Sequence, residues 1–283
     1  MASKKSSLLE SKNIKNPAKS PKLKDNIPPK PKENPTLKPN LTLKQNLTRS
    51  FLAASSTYNQ NALIQDKMQS TLLELLKTHL PLYYENVLEL GCGSGMLTKK
   101  ALGILEYKIY RALDIVDFSD YFRESEVEFI CADMEDFSLL KMLFSCQKNH
   151  LILSNAALQW GNQKEILEFL PYITYQGGVL ALGVFGLENL KEIRLLCGCG
   201  LDYLTLEEYQ KILAPQWEIL TLFERQEKLH FNTPLEAFWH LKQSGVNALK
   251  PNFKITKQIL SALQKDFNNT LTYNPLYILA QKK

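Results

Sequence analysis

Apolar positions recur with helical spacing at Met68, Leu72, Leu75 and Leu76, which predicts one or two helices over residues 51–80. Short apolar runs then predict strands at 86–90, 108–114, 127–131, 150–154 and 178–185. Helical patterns stand between them, from 96 and over 163–170. Strands that alternate with helices imply right-handed crossovers, hence an α/β architecture with a mostly parallel sheet and helices on both faces. After Phe185 the pattern predicts helices near 187–197 and 205–213, a strand at 216–224, further helix over 234–264 and a last strand near 270–280. Ligands of such sheets lie beyond the carboxyl ends of the strands. Glu89, Asp114, Asp133 and Asn155 all fall there.

The first 48 residues break this pattern. They hold seven of the thirteen prolines and no aromatic residue, so they lack the apolar surface needed to offset ordering and are expected to form a disordered tail. Thr36–Leu41 and Thr42–Leu47 form a six-residue near-repeat within it. The folded domain is expected to span 49–283. Charge sharpens the division: residues 1–50 carry twelve Lys and Arg against three acids, a net of +9 in a chain whose total is +5, which leaves the rest at −4. The basic character belongs to the tail, and the folded part does not have the charge of a nucleic-acid binder.

No apolar run approaches the ~18 residues of a membrane helix, and no signal sequence follows the N-terminal lysines. A soluble, cytoplasmic protein is expected. The five cysteines show no C-x-x-C pair and no metal-ligand spacing with the four histidines, so they read as buried thiols of a reducing compartment, with no metal site. Cys197-Gly-Cys199 is their one close pair.

The candidate chemistry centres on Val87–Gly95, V-L-E-L-G-C-G-S-G, a strand that turns sharply into a helix. Gly91, Gly93 and Gly95 allow positive φ and close approach of a ligand to the backbone. The spacing departs from the dinucleotide fingerprint G-x-G-x-x-G, and no lysine stands where a phosphate-binding Walker loop needs one. Glu89, two positions before the first glycine, suits a ligand that carries positive charge.

This E-x-G-x-G-x-G stretch resembles motif I of the class I methyltransferases, which use S-adenosylmethionine. The resemblance implies their Rossmann-like sheet, mostly parallel with an antiparallel late strand. In that setting Asp114, 25 positions after Glu89, would accept the ribose hydroxyls, and Asp133 with Met134 would bracket the adenine, although Glu135 and Asp136 stand close by. Ser154–Trp160, S-N-A-A-L-Q-W, resembles the corresponding segment of two carboxyl methyltransferase families, the malonyl-acyl carrier protein O-methyltransferases of biotin synthesis and the trans-aconitate methyltransferases. Three further stretches resemble the biotin-synthesis family: A-A-S-S-T-Y-N-Q-N-A-L-I-Q upstream, F-W-H-L-K-Q-S-G-V-N-A-L at 238–249 and L-T-Y at 271–273. The usual L-K-x-I-G-A of that family reads L-K-Q-S-G-V from Leu241 to Val246, and residues 195–203 look shortened.

The resemblance implies methyl transfer to the free carboxylate of a malonyl thioester on acyl carrier protein. A small free acid such as trans-aconitate is the alternative. A carboxylate is already ionised at neutral pH, so no general base is expected, only positioning and desolvation. Within that reading Tyr58 is the expected lid residue that orients the carboxylate, Phe185 lines its pocket, and Arg194 or Lys242 balances its charge. Asn155 joins the cofactor set with Glu89, the three glycines, Asp114, Asp133 and Met134. The run of lysines at 242, 250, 254, 257 and 265, with no acid between Glu236 and Asp266, is a docking face for an acidic carrier or a solvated basic face.

Overall fold

A computed structural model describes residues 48, 58, 61–198, 200–244 and 254–283. The tail expected over residues 1–48 lies outside them but for Thr48. A seven-stranded sheet runs β3-β2-β1-β4-β5-β9-β6. Its members are β1 (Tyr83–Leu90), β2 (Glu106–Asp114), β3 (Val127–Cys131), β4 (Asn149–Asn155), β5 (Thr174–Phe185), β6 (Trp217–Glu224) and β9 (Pro275–Lys282). The first five pair in parallel, and β9 runs antiparallel to both β5 and β6. The predicted late antiparallel strand is therefore present.

Helices cover both faces. On one, α1 (Leu63–His79) buries Ile64, Met68, Leu72 and Leu76, one side of the cylinder at every fourth residue, and α2 (Met96–Leu102) adds Leu97 and Ala101. On the other, α3 (Phe137–Phe144), α4 (Gln163–Phe169) and α6 (Leu206–Leu213) close over Leu88, Ile152, Leu180 and Ile278. The central strands read as near-continuous apolar runs because both of their faces are buried. Local chemistry sets several helix starts: Asp136, Asn162, Thr233 and Thr256 cap with their side chains, and Thr205 forms a reciprocal capping box with Glu208.

Four expectations need correction. The last strand is two, because Asn274 interrupts it: β8 (Thr270–Tyr273) pairs with a strand the pattern missed, β7 (Glu227–His230), and only β9 joins the main sheet. Asn274 donates to the Arg225 carbonyl and accepts from the Glu188 amide, which anchors the chain where it changes sheets. The helix expected over 234–264 is also two, α7 (Pro234–Gln243) and α8 (Lys257–Phe267); Gly245 and Pro251, both helix breakers, lie between them in 245–253, outside the described residues. The helix near 187–197 starts only at Lys191, since Leu190 is in the left-handed region, and forms α5 (Lys191–Cys197). Finally, the cysteines are not uniformly buried: Cys92 is, but Cys131 and Cys146 are exposed, because they fall at a strand end and in a loop. Cys199 lies outside the described residues.

α5, α7 and α8 pack with β8 as a third apolar cluster around Phe185, Tyr273 and Tyr277. This annex sits over the carboxyl end of β5 and brings residues from the last quarter of the chain beside the sheet's switch point.

Candidate functional site

Strand order reverses between β1 and β4, so a crevice opens beyond their carboxyl ends. The loop after β1 turns on Gly91 (φ +69°), whose amide and that of Cys92 both donate to the Leu113 carbonyl. A Cβ at 91 would run into the Ala157 side chain on the loop after β4. Gly93 (φ +53°) differs: a Cβ there would meet nothing within 4 Å, so the backbone faces open space, and its amide donates to Asp114 Oδ2 at 2.9 Å. The other Asp114 oxygen accepts from the Val116 amide at 2.9 Å. Burial raises the Asp114 pKa, and these amides counteract it in part.

Glu89 is buried, with Tyr110 Oη and Thr98 Oγ1 both donating to Oε2, at 2.5 and 2.7 Å. Desolvation pushes its pKa up to about 7, against the opposing pull of those two bonds. Neither partner was legible in sequence; each lies on a different element and meets Glu89 only through packing. Gln69 on α1 was missed for the same reason. Its side chain is 5 % exposed, lines the same cavity, and leaves Oε1 without a hydrogen-bond partner.

Tyr58, Glu89, Gly91, Gly93, Asp114, Asp133, Met134 and Asn155 all line this cavity. Ile115 and Phe118 add apolar surface just beyond Asp114; the position after a strand-tip acid was the signal that could have found Ile115. Gly95 is not on the wall but starts α2 in a left-handed conformation, its Cβ position 3.2 Å from the Phe122 ring. Asp133 Oδ1 accepts from the Glu135 amide, and Glu135 Oε1 from that of Asn162. Asn155 donates to the Gln65 carbonyl, while its Oδ1 packs against Gly183.

Tyr58 and Phe185 also line a second, smaller cavity that adjoins the first. Burial, with Asp114 nearby, pushes the Tyr58 pKa up to about 12. Arg194 lines neither cavity; its guanidinium donates to the Leu187 carbonyl. Lys242 likewise lines neither. No group of three or more potential metal ligands gathers among the described residues, and none of their helices is long and apolar enough to cross a membrane.

A ligand with cationic groups and a ribose fits the larger cavity. The open backbone at Gly93, the orphaned Gln69 Oε1, the buried Glu89 carboxylate and the half-buried Asp114 carboxylate supply acceptors and space, and Ile115 and Phe118 supply apolar surface for a flat ring.

No family model matches the chain. It is 31 % identical over 240 residues to the malonyl-[acyl-carrier protein] O-methyltransferase of Calditerrivibrio nitroreducens, covering 82 % of this chain and 95 % of that protein. It is 33 % identical over 254 residues to the protein of the same name from Haemophilus influenzae, covering 84 % and 94 %. Among solved structures, the YcgJ protein of Bacillus subtilis superposes with a TM-score of 0.55 at 14 % identity, over 76 % of this chain and 98 % of that one, which shows a shared fold.

Proposed function

Because the chain belongs to the malonyl-[acyl-carrier protein] O-methyltransferase family, we propose that it methylates the free carboxylate of a malonyl thioester carried on acyl carrier protein, with S-adenosylmethionine as donor. The donor supplies an electrophilic methyl group on a sulfonium. The larger cavity holds it, with Glu89 and Gln69 beside its positive charge, Asp114 on the ribose hydroxyls, and Asp133, Met134, Ile115 and Phe118 around the adenine. Gly91 and Gly93 keep the backbone clear of the ligand, Gly95 sets the direction of α2, and Asn155 shapes the wall below.

The observation that carries this reading is that the two cavities share a wall, to which Ala156 and Trp160 contribute along with the one titratable side chain among the described residues that lines both, Tyr58. A methyl donor in the larger and an acceptor in the smaller would meet at that side chain. Tyr58 then orients the acceptor, Phe185 walls it off from water, and Arg194 contributes positive potential that is felt at Tyr203, whose ionisation it favours. The chain's task is alignment and exclusion of water, since the acceptor needs no deprotonation at neutral pH.

The partner is the acyl carrier protein. Carrier proteins are acidic, and Lys242, Lys254, Lys257 and Lys265 suit a docking face on the annex; Lys250 lies outside the described residues. The folded part, with its net negative charge, has no call on nucleic acid. The reaction belongs in the cytoplasm as an early step of biotin synthesis, where esterification hides a charge that chain-elongating enzymes would reject.

The test is methyl transfer to malonyl-carrier protein, malonyl-coenzyme A and trans-aconitate side by side. Fastest turnover of malonyl-carrier protein is expected. Preference for trans-aconitate would replace this reading with the small-acid one.

A further inference from the structure

The smaller cavity has an unusual wall for a site meant to hold an anion. None of the described residues that line it carries a formal charge; the polar side chains are hydroxyls, amides and the Trp160 indole, among them the phenols of Tyr58, Tyr203 and Tyr273. Tyr58 and Tyr203 both lie close enough to Tyr273 to oppose its ionisation. Burial raises all three phenols, so each keeps its proton at any physiological pH and remains a donor.

Two of these phenols have a nitrogen at their back. Asn189 Nδ2 donates to Tyr203 Oη at 2.8 Å, and the orientation of that amide is fixed because Asn189 Oδ1 accepts from the Asn274 amide at 3.3 Å. On the other side, His240 Nε2 lies 2.8 Å from Tyr273 Oη. Burial lowers the His240 pKa, so the imidazole is neutral and carries one ring proton. A phenol oxygen that already accepts an N–H has its own proton left to give elsewhere.

We propose that the smaller cavity is a carboxylate subsite built on neutral donors, in which Tyr203 and Tyr273 bind the acceptor's carboxylate. Asn189 and His240, the latter as the Nε2–H tautomer, are positioning residues that hold each phenol from behind so that its proton points inward. The subsite rests on the proposed function for the identity of the acid, malonyl thioester.

Neutral donors suit this reaction better than a cation in contact. Methylation removes the carboxylate's charge, so a contacting Lys or Arg would stabilise the ionised reactant more than the transition state and raise the barrier. Hydroxyls supply orientation and modest affinity with less of that penalty. They also tie recognition of the acceptor to the annex, since Tyr203 lies between α5 and α6, Tyr273 on β8 and His240 on α7.

Tyr203→Phe and Tyr273→Phe keep the rings and remove the donors. Each should raise KM for malonyl-carrier protein about ten- to a hundredfold, the loss expected of one hydrogen bond to a charged group. The turnover number should hold within about twofold, the pattern of an interaction that favours the reactant as much as the transition state or more. Calorimetric affinity for S-adenosylmethionine should not move, while the melting temperature should fall somewhat, because Asn189 Nδ2 or His240 Nε2 loses its buried partner. His240→Leu should give the same rise in KM, and His240→Gln, which restores an N–H donor, should recover most of it; a merely structural role would give no such rescue. A KM within twofold of wild type in both Phe variants, or an equal loss in the Leu and Gln variants, overturns the subsite. Should the wild type itself leave malonyl-carrier protein unmethylated, the functional reading fails. The subsite is then judged on malonate binding to the protein saturated with S-adenosylhomocysteine: a tenfold weaker Kd in the double Phe variant supports it, and an unchanged Kd overturns it.

Discussion

At the scale of single residues, Glu89 is the group whose state is most open to control. Its raised pKa means the folded chain binds a proton more tightly than the unfolded one: the contribution to stability is complete below the ordinary value of 4.5 and is lost as pH rises through about 7. Affinity for a cationic ligand should run the other way, because only the ionised carboxylate attracts it. S-adenosylmethionine should therefore bind more tightly at pH 8 than at pH 6, and Glu89→Gln should flatten that dependence; calorimetry at the two pH values checks both. Asp114→Ala should weaken the same binding about ten- to a hundredfold by removing an acceptor for charged or polar ligand groups. Tyr58→Phe removes one hydroxyl at the junction of the cavities. If that bond aligns the acceptor only in the transition state, the turnover number and its ratio to KM should fall together, which steady-state kinetics reads directly.

At the scale of elements, the annex depends on a buried link between α5 and β8. Glu192 accepts from the Thr272 amide at 2.9 Å and from its hydroxyl at 2.5 Å, with both residues buried. Glu192→Ala would orphan the buried amide, at a cost of about 1–3 kcal/mol, or about 2–4 °C of melting temperature per kcal/mol in a chain of this size. Because β8 carries Tyr273, KM for the malonyl substrate should rise in this variant while affinity for S-adenosylmethionine holds. Thermal melting and paired binding measurements separate the two effects. An equal loss of cofactor affinity would show that the annex supports the larger cavity as well.

At the scale of the whole molecule, we propose that residues 1–48 form a separate tail before the methyltransferase domain at 49–283. Deletion of residues 2–48 should leave the melting temperature and the affinity for S-adenosylmethionine unchanged, since the segment has no aromatic residue and its few aliphatic ones are scattered among lysines and prolines. If its net charge of +8 helps to attract the carrier, KM for malonyl-carrier protein should rise on deletion, and more so at low ionic strength. A large fall in melting temperature would show instead that the tail packs on the domain. Charge reversal at Lys254 and Lys257 should likewise slow reaction with malonyl-carrier protein and barely affect malonyl-coenzyme A, because only the carrier meets the protein over a surface.

The sequence by itself determined the α/β alternation, the strands of the parallel sheet to within a few residues, and the carboxylates and glycines at their tips. These are local: burial on both faces writes a continuous apolar run into a central strand, and a glycine loop can be read from its own residues. It also carried the family, through stretches such as Ser154–Trp160. Tertiary structure alone decided where the last strand divides, since Asn274 acts through partners some fifty and ninety residues away. It decided, too, that Tyr110 and Thr98 close on Glu89, that Gln69, whose side-chain oxygen is unpaired, lines the same cavity, and that Tyr58, Tyr203 and Tyr273 converge beside Phe185. Those contacts join residues distant in sequence, and each of these side chains has an ordinary place in an apolar or helical pattern. Only the packing of the annex against the sheet gives them a common function.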